Sequence, residues 1–473
     1  MGLVRRDRAP RFGSDVLHFG SAVLLVLVLN IVQVFIVPRR LSVEAYGEYR
    51  VFLLYIGYLG VLHLGVVDGA FLRWVGRPLS LIRREWPVVL RRLLLLQAPV
   101  LVVAAFAYTF ASAGLTRTYV IAFAMCAVAA NLTSFASFTL QAAGDFRGAG
   151  RVTALPPGLF AIAVVALPLA SLGGMLSAFI GTYAIAAAAG LGRLSAVTAQ
   201  ASIDDPASDG LAPLSFRAFM ISGLPVLGAG LATGLSQYAD RILVSVAVPV
   251  ATFAFYGFAS STMALSGAAR QTLSRVALTH AARREGVERA EFLDGVYDLI
   301  AAGFGVALLA EPLFESVVGR LLPRYATALP IVRALIVGAL FWVATTVVVL
   351  GILQTYGNVR RQFVVSIVGT ALAAAGAAIA LAMHAPLWGV AAVASAATAI
   401  SWAIGVAVTH RVVPDSRPAS ATRFFAIIAV QSLALAAALG LASGWVARTA
   451  IYALIAVVPT VLAGRAARDH WVA

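Results

Sequence analysis

Charge is scarce in this sequence. Asp, Glu, Lys and Arg make up 12% of the 473 residues, and 61% are hydrophobic. Soluble proteins carry roughly twice that share of charge, so a water-soluble fold is excluded. Lysine is absent, so all 35 basic residues are arginines. Without lysine there is no phosphate-binding loop of the Gly-rich, Lys-bearing kind, and with it goes an ATPase. The single cysteine, Cys126, excludes an intramolecular disulfide and a multi-cysteine metal site. The six histidines (His18, His63, His280, His384, His410, His470) make no i,i+4 pair, and neither HExxH nor GxSxG occurs. The expectation is therefore a protein with no cofactor and no metal, and not an enzyme.

What the chain does have is long apolar runs. In a bilayer the backbone must satisfy its own hydrogen bonds, which leaves helices or closed barrels. Barrel strands alternate apolar and polar residues over about 10 positions. Here the runs are continuous over about 20 residues, the length of a spanning helix. Fourteen spans are predicted: 16–37, 48–70, 92–113, 118–141, 153–171, 174–192, 218–246, 251–275, 295–318, 328–352, 363–383, 387–409, 423–443 and 446–464. The net charge of +15 sits in short loops between them, which argues for membrane anchoring and against a nucleic-acid partner. Arg5, Arg6, Arg8 and Arg11 precede the first run, which ends in Pro38-Arg39-Arg40 without a small-residue cleavage site, so it reads as an uncleaved first helix.

Placing the N-terminus in the cytoplasm puts 26 arginines on the cytoplasmic side and 9 on the other. That bias sets the orientation expected of an inner-membrane protein with both termini cytoplasmic. The polar stretch around Asp204-Asp205-Pro206 follows the sixth span and reads as a solvated linker. The expected organisation is an N-lobe of helices 1–6 (1–192), a cytoplasmic linker (193–217), a C-lobe of helices 7–12 (218–410) and a final helix pair (411–473). Six helices per half gives both halves the same orientation, as in parallel transporter repeats. Asn30 and Gln33 precede Tyr46-Gly47 in the first half; Gln237, Asp240 and Arg241 precede Tyr256-Gly257 in the second.

Polar side chains at membrane depth are costly and point to function. Asp240 and Arg241 are the foremost pair, an anion-contacting cation beside an acid. Neighbouring helical positions diverge by about 100°, so the two need not bond each other. His63 and Asp68 lie five positions apart on the second span, and Asn30 and Gln33 share a face of the first. Gln237 joins these as a cavity candidate, and Arg270 as a cytoplasmic-side guide for an anionic headgroup. Asp240, Asp68 and Glu311 are the acids available for ion coupling. Gln97, Asn131, Gln141 and Gln354 read as helix–helix hydrogen bonds.

Several stretches resemble bacterial polysaccharide repeat-unit flippases of the O-antigen type, in the multidrug/oligosaccharidyl-lipid/polysaccharide (MOP) superfamily. They are Leu41-Ser42-Val43-Glu44-Ala45-Tyr46-Gly47-Glu48-Tyr49 with Leu62-His63-Leu64-Gly65, and Tyr238-Ala239-Asp240-Arg241 with Phe255-Tyr256-Gly257. Leu322-Pro323-Arg324-Tyr325, Gln354-Thr355-Tyr356-Gly357-Asn358 and Trp388-Gly389-Val390-Ala391 follow in family order. The resemblance implies an all-α membrane protein with two six-helix lobes around a central cavity, working by alternating access. It implies an undecaprenyl-diphosphate-linked oligosaccharide as cargo, with Asp240 and Arg241 toward the cavity. It also implies membrane lipids as partners, with glycosyltransferases and a polymerase of the same pathway. The extra helix pair is similar to the lipid II flippase branch, although Asn30 and Gln33 stand where that branch would carry charge. The alternatives are a MATE-like cation-coupled multidrug antiporter, which needs deep first-half carboxylates where Asp68, near the cytoplasmic side, is the only candidate, and a polytopic glycan polymerase or ligase. The latter would carry a large outer loop, which this chain lacks.

Overall fold

Long apolar runs with few breakers should fold as long helices, and in the computed structural model they do. It describes residues 28–75, 77–110, 115–200, 215–263, 286–355, 358–411 and 418–472, and among them there is no strand. The elements are α1 (28–40), α2 (Val43–Ile56), α3 (Val66–Trp74), α4 (Leu79–Phe110), α5 (Leu115–Ala142), α6 (Phe146–Ala166), α7 (Leu172–Ala199) and α8 (Phe216–Ala247). They continue with α9 (250–263), α10 (Gly286–Leu321), α11 (Leu329–Ala344), α12 (Leu350–Thr355), α13 (Val359–Ala382), α14 (Leu387–His410), α15 (Pro418–Leu441) and α16 (Trp445–Val472). Starts are marked by capping side chains: Ser42 accepts from the Ala45 amide at 3.1 Å, Asp145 from Gly148 at 2.9 Å and Ser171 from Gly174 at 3.2 Å.

Ten of these helices are long and apolar enough to cross a bilayer, and two bent pairs bring the number to twelve among the described residues. The first, third and eighth expected spans run into residues outside that set. The outward faces are apolar: Leu454, Val458 and Leu462, at i,i+4 spacing on α16, are 80%, 59% and 58% exposed. Val102, Val103 and Phe106 of α4 are each 66% exposed. Such stripes suit lipid and not water, and the chain is a multi-pass membrane protein.

The chain divides into two units, residues 1–234 and 235–473, the boundary falling within α8. In the first unit the second expected span is not one helix. α2 ends at Ile56, a 3₁₀ turn occupies Leu59–His63, and α3 resumes after Leu64 (φ 46°) and Gly65 (φ 77°), giving a 60° bend. Only glycine takes such a φ without strain. Gly65 and Gly69 then let α3 touch the backbone of α8: a Cβ on Gly69 would stand 1.9 Å from the Phe219 carbonyl oxygen, and one on Gly223 1.9 Å from that of Gly65. Because lipid is as apolar as the side chains, such close small-residue contact is what holds helices together in a membrane. Beside it, Trp74 packs on Phe135 and Phe219 with ring centroids 6.2 and 6.1 Å away.

The break is held by side chains from neighbouring helices. Asn131 of α5 donates to Gln97 of α4 at 3.1 Å, and Gln97 donates to the Leu62 carbonyl at 3.0 Å. Both are the helix–helix bonds expected of them. Gln141 bonds Ser137 of its own helix instead, at 3.3 Å.

In the second unit α11 continues through a π-helical turn, Thr345–Val349, into α12. This is the most enclosed of the candidate spans, 67% of its apolar window being buried. Gly338 brings α11 against α14, where a Cβ would lie 2.4 Å from Ser395 Oγ. Phe341, Trp402, Phe424 and Tyr297 join α11, α14, α15 and α10 in one aromatic cluster.

Candidate functional site

The second half of α8 carries Ser236, Gln237, Asp240 and Arg241. Spacings of three and four residues put Gln237 on a common helix face with Asp240 and Arg241. These four line a small open cleft of about 50 Å³ within the second unit, with Met263 of α9, Gly338 and Trp342 of α11, Ala373 of α13, and Ser395 and Thr398 of α14. The glycine and alanine positions leave the room; the polar groups come from α8 and α14.

The two charges of the cleft are held differently. Asp240 is 6% exposed and accepts a hydrogen bond on Oδ2 from the Tyr256 hydroxyl, at 2.5 Å. Tyr256 is fully buried on α9, so the carboxylate has a fixed donor. The half-buried Arg241 lays its guanidinium over the Tyr238 ring, 4.7 Å from the centroid, a cation–π contact worth about 0.5–2 kcal/mol. Its Nε is buried without a hydrogen-bond partner, and among the described residues no carboxylate pairs with it. Adjacent on the helix, Asp240 and Arg241 thus go to separate partners. A guanidinium stacked on one face keeps its planar edge for an anion, the geometry suited to phosphate or carboxylate.

The other candidates lie elsewhere. Asn30 is half-buried on α1. Gln33 donates to the Pro157 carbonyl of α6 at 3.0 Å. That carbonyl adjoins the Pro156-Pro157 step, where the helix lacks two N–H donors. His63 and Asp68 come together at the break, Nε2 to Oδ2 3.9 Å apart. Glu311 is 3% exposed and bonds Arg333 of α11 at 2.8 Å; Arg333 also bonds Glu315 at 2.6 Å, and Glu315 accepts from Arg448 of α16 at 2.5 Å. Glu311 thus belongs to a four-charge network joining α10, α11 and α16. Arg270 lies outside the described residues.

Sequence reasoning missed three participants. Tyr256 stood out only as half of an aromatic–glycine pair, although its spacing of 16 from Asp240, across one helix turnaround, was the available signal. Trp342 carries no signal within an apolar run. Glu85, 8% exposed, accepts from the Trp74 indole at 2.8 Å and lies 3.5 Å from Arg73. Its place among Arg83, Arg84 and Trp86 reads as interfacial.

No protein family matches the chain by sequence, and no curated protein does. Among solved structures it is similar to the lipid II flippase MurJ in an inward closed conformation, at 12% identity and a TM-score of 0.65, covering 96% of this chain and 99% of that one. It is also similar to an inward-facing multidrug resistance MATE family transporter of the MOP superfamily, at 13% identity and a TM-score of 0.57, covering 83% and 94%. The crystal structure of a MATE mutant is a further match at 15% identity and a TM-score of 0.50, covering 84% and 95%. The fold is that of the MOP transporters. The likeness is one of architecture, and it is to transporters and not to enzymes. The structures named here are a lipid II flippase and MATE transporters, and the repeat-unit flippases that the sequence motifs resemble are not among them.

Proposed function

We propose that the chain is a flippase that carries an undecaprenyl-diphosphate-linked oligosaccharide from the cytoplasmic to the outer face of a bacterial inner membrane by alternating access. The observation that carries this reading is Arg241, a cation at the cleft with no carboxylate paired to it among the described residues. A diphosphate needs such a group, and beside it Gln237 offers an amide to a sugar, while Ser395 and Thr398, whose protons go to the Ala334 and Ala394 carbonyls, offer acceptor oxygens. Support also comes from the MurJ likeness, which covers nearly the whole chain, whereas the MATE likenesses stop at about five-sixths of it. The arginine bias supports cytoplasmic termini. The six-plus-six lobe arrangement with an added helix pair remains the organisation inferred, and the glycosyltransferases and polymerase of the same pathway are the partners inferred.

A second reading, a cation-coupled multidrug antiporter, is favoured by one observation. Asp68 is an acid of the first unit with a buried, unbonded oxygen. Deleting the gene and analysing lipid-linked sugars on each membrane face separates the two. Accumulation of an undecaprenyl-diphosphate oligosaccharide on the cytoplasmic face, with loss of surface glycan, is the expected result. Unchanged lipids with raised sensitivity to cationic drugs would transfer the assignment to the antiporter.

A further inference from the structure

The break in the second span holds two titratable side chains that the cleft of the second unit does not use. His63 ends the 3₁₀ turn and is 6% exposed. Its Nδ1 accepts the Gly65 amide at 3.2 Å. A neutral imidazole accepts at one nitrogen and donates at the other, so this bond assigns the ring proton to Nε2. That nitrogen faces Asp68 Oδ2 at 3.9 Å, too far for a hydrogen bond. Oδ2 is buried and has no other hydrogen-bond partner. As it stands the pair is a neutral ring beside a carboxylate with one buried oxygen left unbonded, which is costly.

The surrounding elements do not supply the missing cation. On α3 the next charge is Arg73, engaged with Glu85 of α4 at 3.5 Å. Arg92 of α4 lies over the Phe216 ring, 5.8 Å from its centroid. α5 contributes the amide Asn131, bonded to Gln97. α8 meets α3 through Phe219, Ser222 and Gly223, while its Arg217 is exposed. Among the described residues, His63 is the one group within ion-pair distance of Asp68.

We propose that His63 and Asp68 form a binding site for a single proton at the break of the second span, and that its occupancy is coupled to transport. The coupling, though not the site, rests on the transporter reading above. One proton taken from water changes the pair from neutral imidazole and carboxylate, net −1, to imidazolium and carboxylate, net 0. The ring then holds hydrogen on both nitrogens, and a small closing movement gives Oδ2 a donor. Release returns the same proton to water. Asp68 lies between Gly65 and Gly69, the two positions where α3 touches the α8 backbone. A change in the gap between ring and carboxylate therefore acts on that contact.

The test uses the full chain in lipid nanodiscs, with protons as the only ligand. The histidine ring nitrogens are followed by NMR against pH, the His63 signal being identified by its loss in His63→Gln. The expected result is that Asp68→Asn, close in size to the native side chain, weakens proton binding at His63 about tenfold, the usual effect of removing one adjacent opposite charge. An unchanged His63 titration in that variant overturns the site. Should the variant not fold, the wild-type infrared difference spectrum across the same titration must show imidazole and carboxylate bands changing together; carboxylate bands that stay fixed overturn it equally. Transport of a lipid-linked sugar into proteoliposomes is then measured against pH. A profile flattened in Asp68→Asn supports coupling, and an unaltered one overturns it. Absence of transport by wild type, with the His63 titration intact, overturns the flippase reading and leaves the proton site standing.

Discussion

At residue 241 a guanidinium is held by an aromatic face instead of by an acid. Removing it should cost function and little stability, since it bridges no buried carboxylate among the described residues. Arg241→Ala is expected to abolish glycan export with normal membrane insertion. Arg241→Lys should restore only part of it, because an ammonium lacks the planar fork. Export and insertion are read from surface glycan and from protein in the membrane fraction. Asp240 behaves oppositely. Tyr256→Phe leaves its buried oxygen without a donor, at a cost of about 1–3 kcal/mol. Asp240→Asn keeps an acceptor for the same hydroxyl. Thermal unfolding of the purified protein should therefore drop further for Tyr256→Phe than for Asp240→Asn.

At the scale of the element, glycine spacing decides whether α3 and α8 can meet. Gly69→Ala would put a methyl 1.9 Å from the Phe219 carbonyl, where backbone must move. Gly181 of α7 has open space around it, so Gly181→Ala serves as the control. The expected outcome is little monodisperse Gly69→Ala protein and a normal yield of Gly181→Ala. This element also shows where reading from sequence succeeds and stops. Apolar length located the helices, because a bilayer sets a length that a run of some 20 residues must match. The same uniformity concealed the break at Leu59–Gly65, since the run from 48 to 70 stays apolar through it. Gly65-Val66-Val67-Asp68-Gly69 is a small-residue motif; it marks a close approach but not the partner. The cleft was half legible. Gln237, Asp240 and Arg241 share one helix, whereas Tyr256, Trp342 and Ser395 arrive through tertiary packing that no local period records.

Across the whole molecule, the C-terminal pair is tied to α10 at several levels. Arg423 bonds Asp298, which is 1% exposed. Gln431 donates to the Ala301 carbonyl at 3.2 Å and to Thr460 at 3.0 Å; Tyr452 donates to the Gly305 carbonyl at 3.0 Å. Arg448 closes on Glu315. Cutting the chain after His410 would strand Asp298 without Arg423, and breaking a buried ion pair from one side costs about 3–5 kcal/mol. The truncated protein is expected to lose protease resistance in residues 286–410 while residues 28–200 keep theirs. Retention of both would make the pair an accessory to a self-sufficient second unit. Arg448→Gln is milder, since Glu315 keeps Arg333, and should leave the fragment pattern unchanged.

The 3₁₀ turn in the second span has one more consequence. The Leu62 carbonyl, the Leu64 amide and the Gly65 amide are taken by Gln97, Val61 and His63 respectively. Solvent therefore finds few open groups at a place where the helix is interrupted. Deuterium should enter the amides of Val61 to Gly65 as slowly as those of α5, and Gln97→Leu should raise that rate locally. Irregular backbone here keeps its hydrogen bonds, and part of that supply comes from the Gln97 side chain of a neighbouring helix.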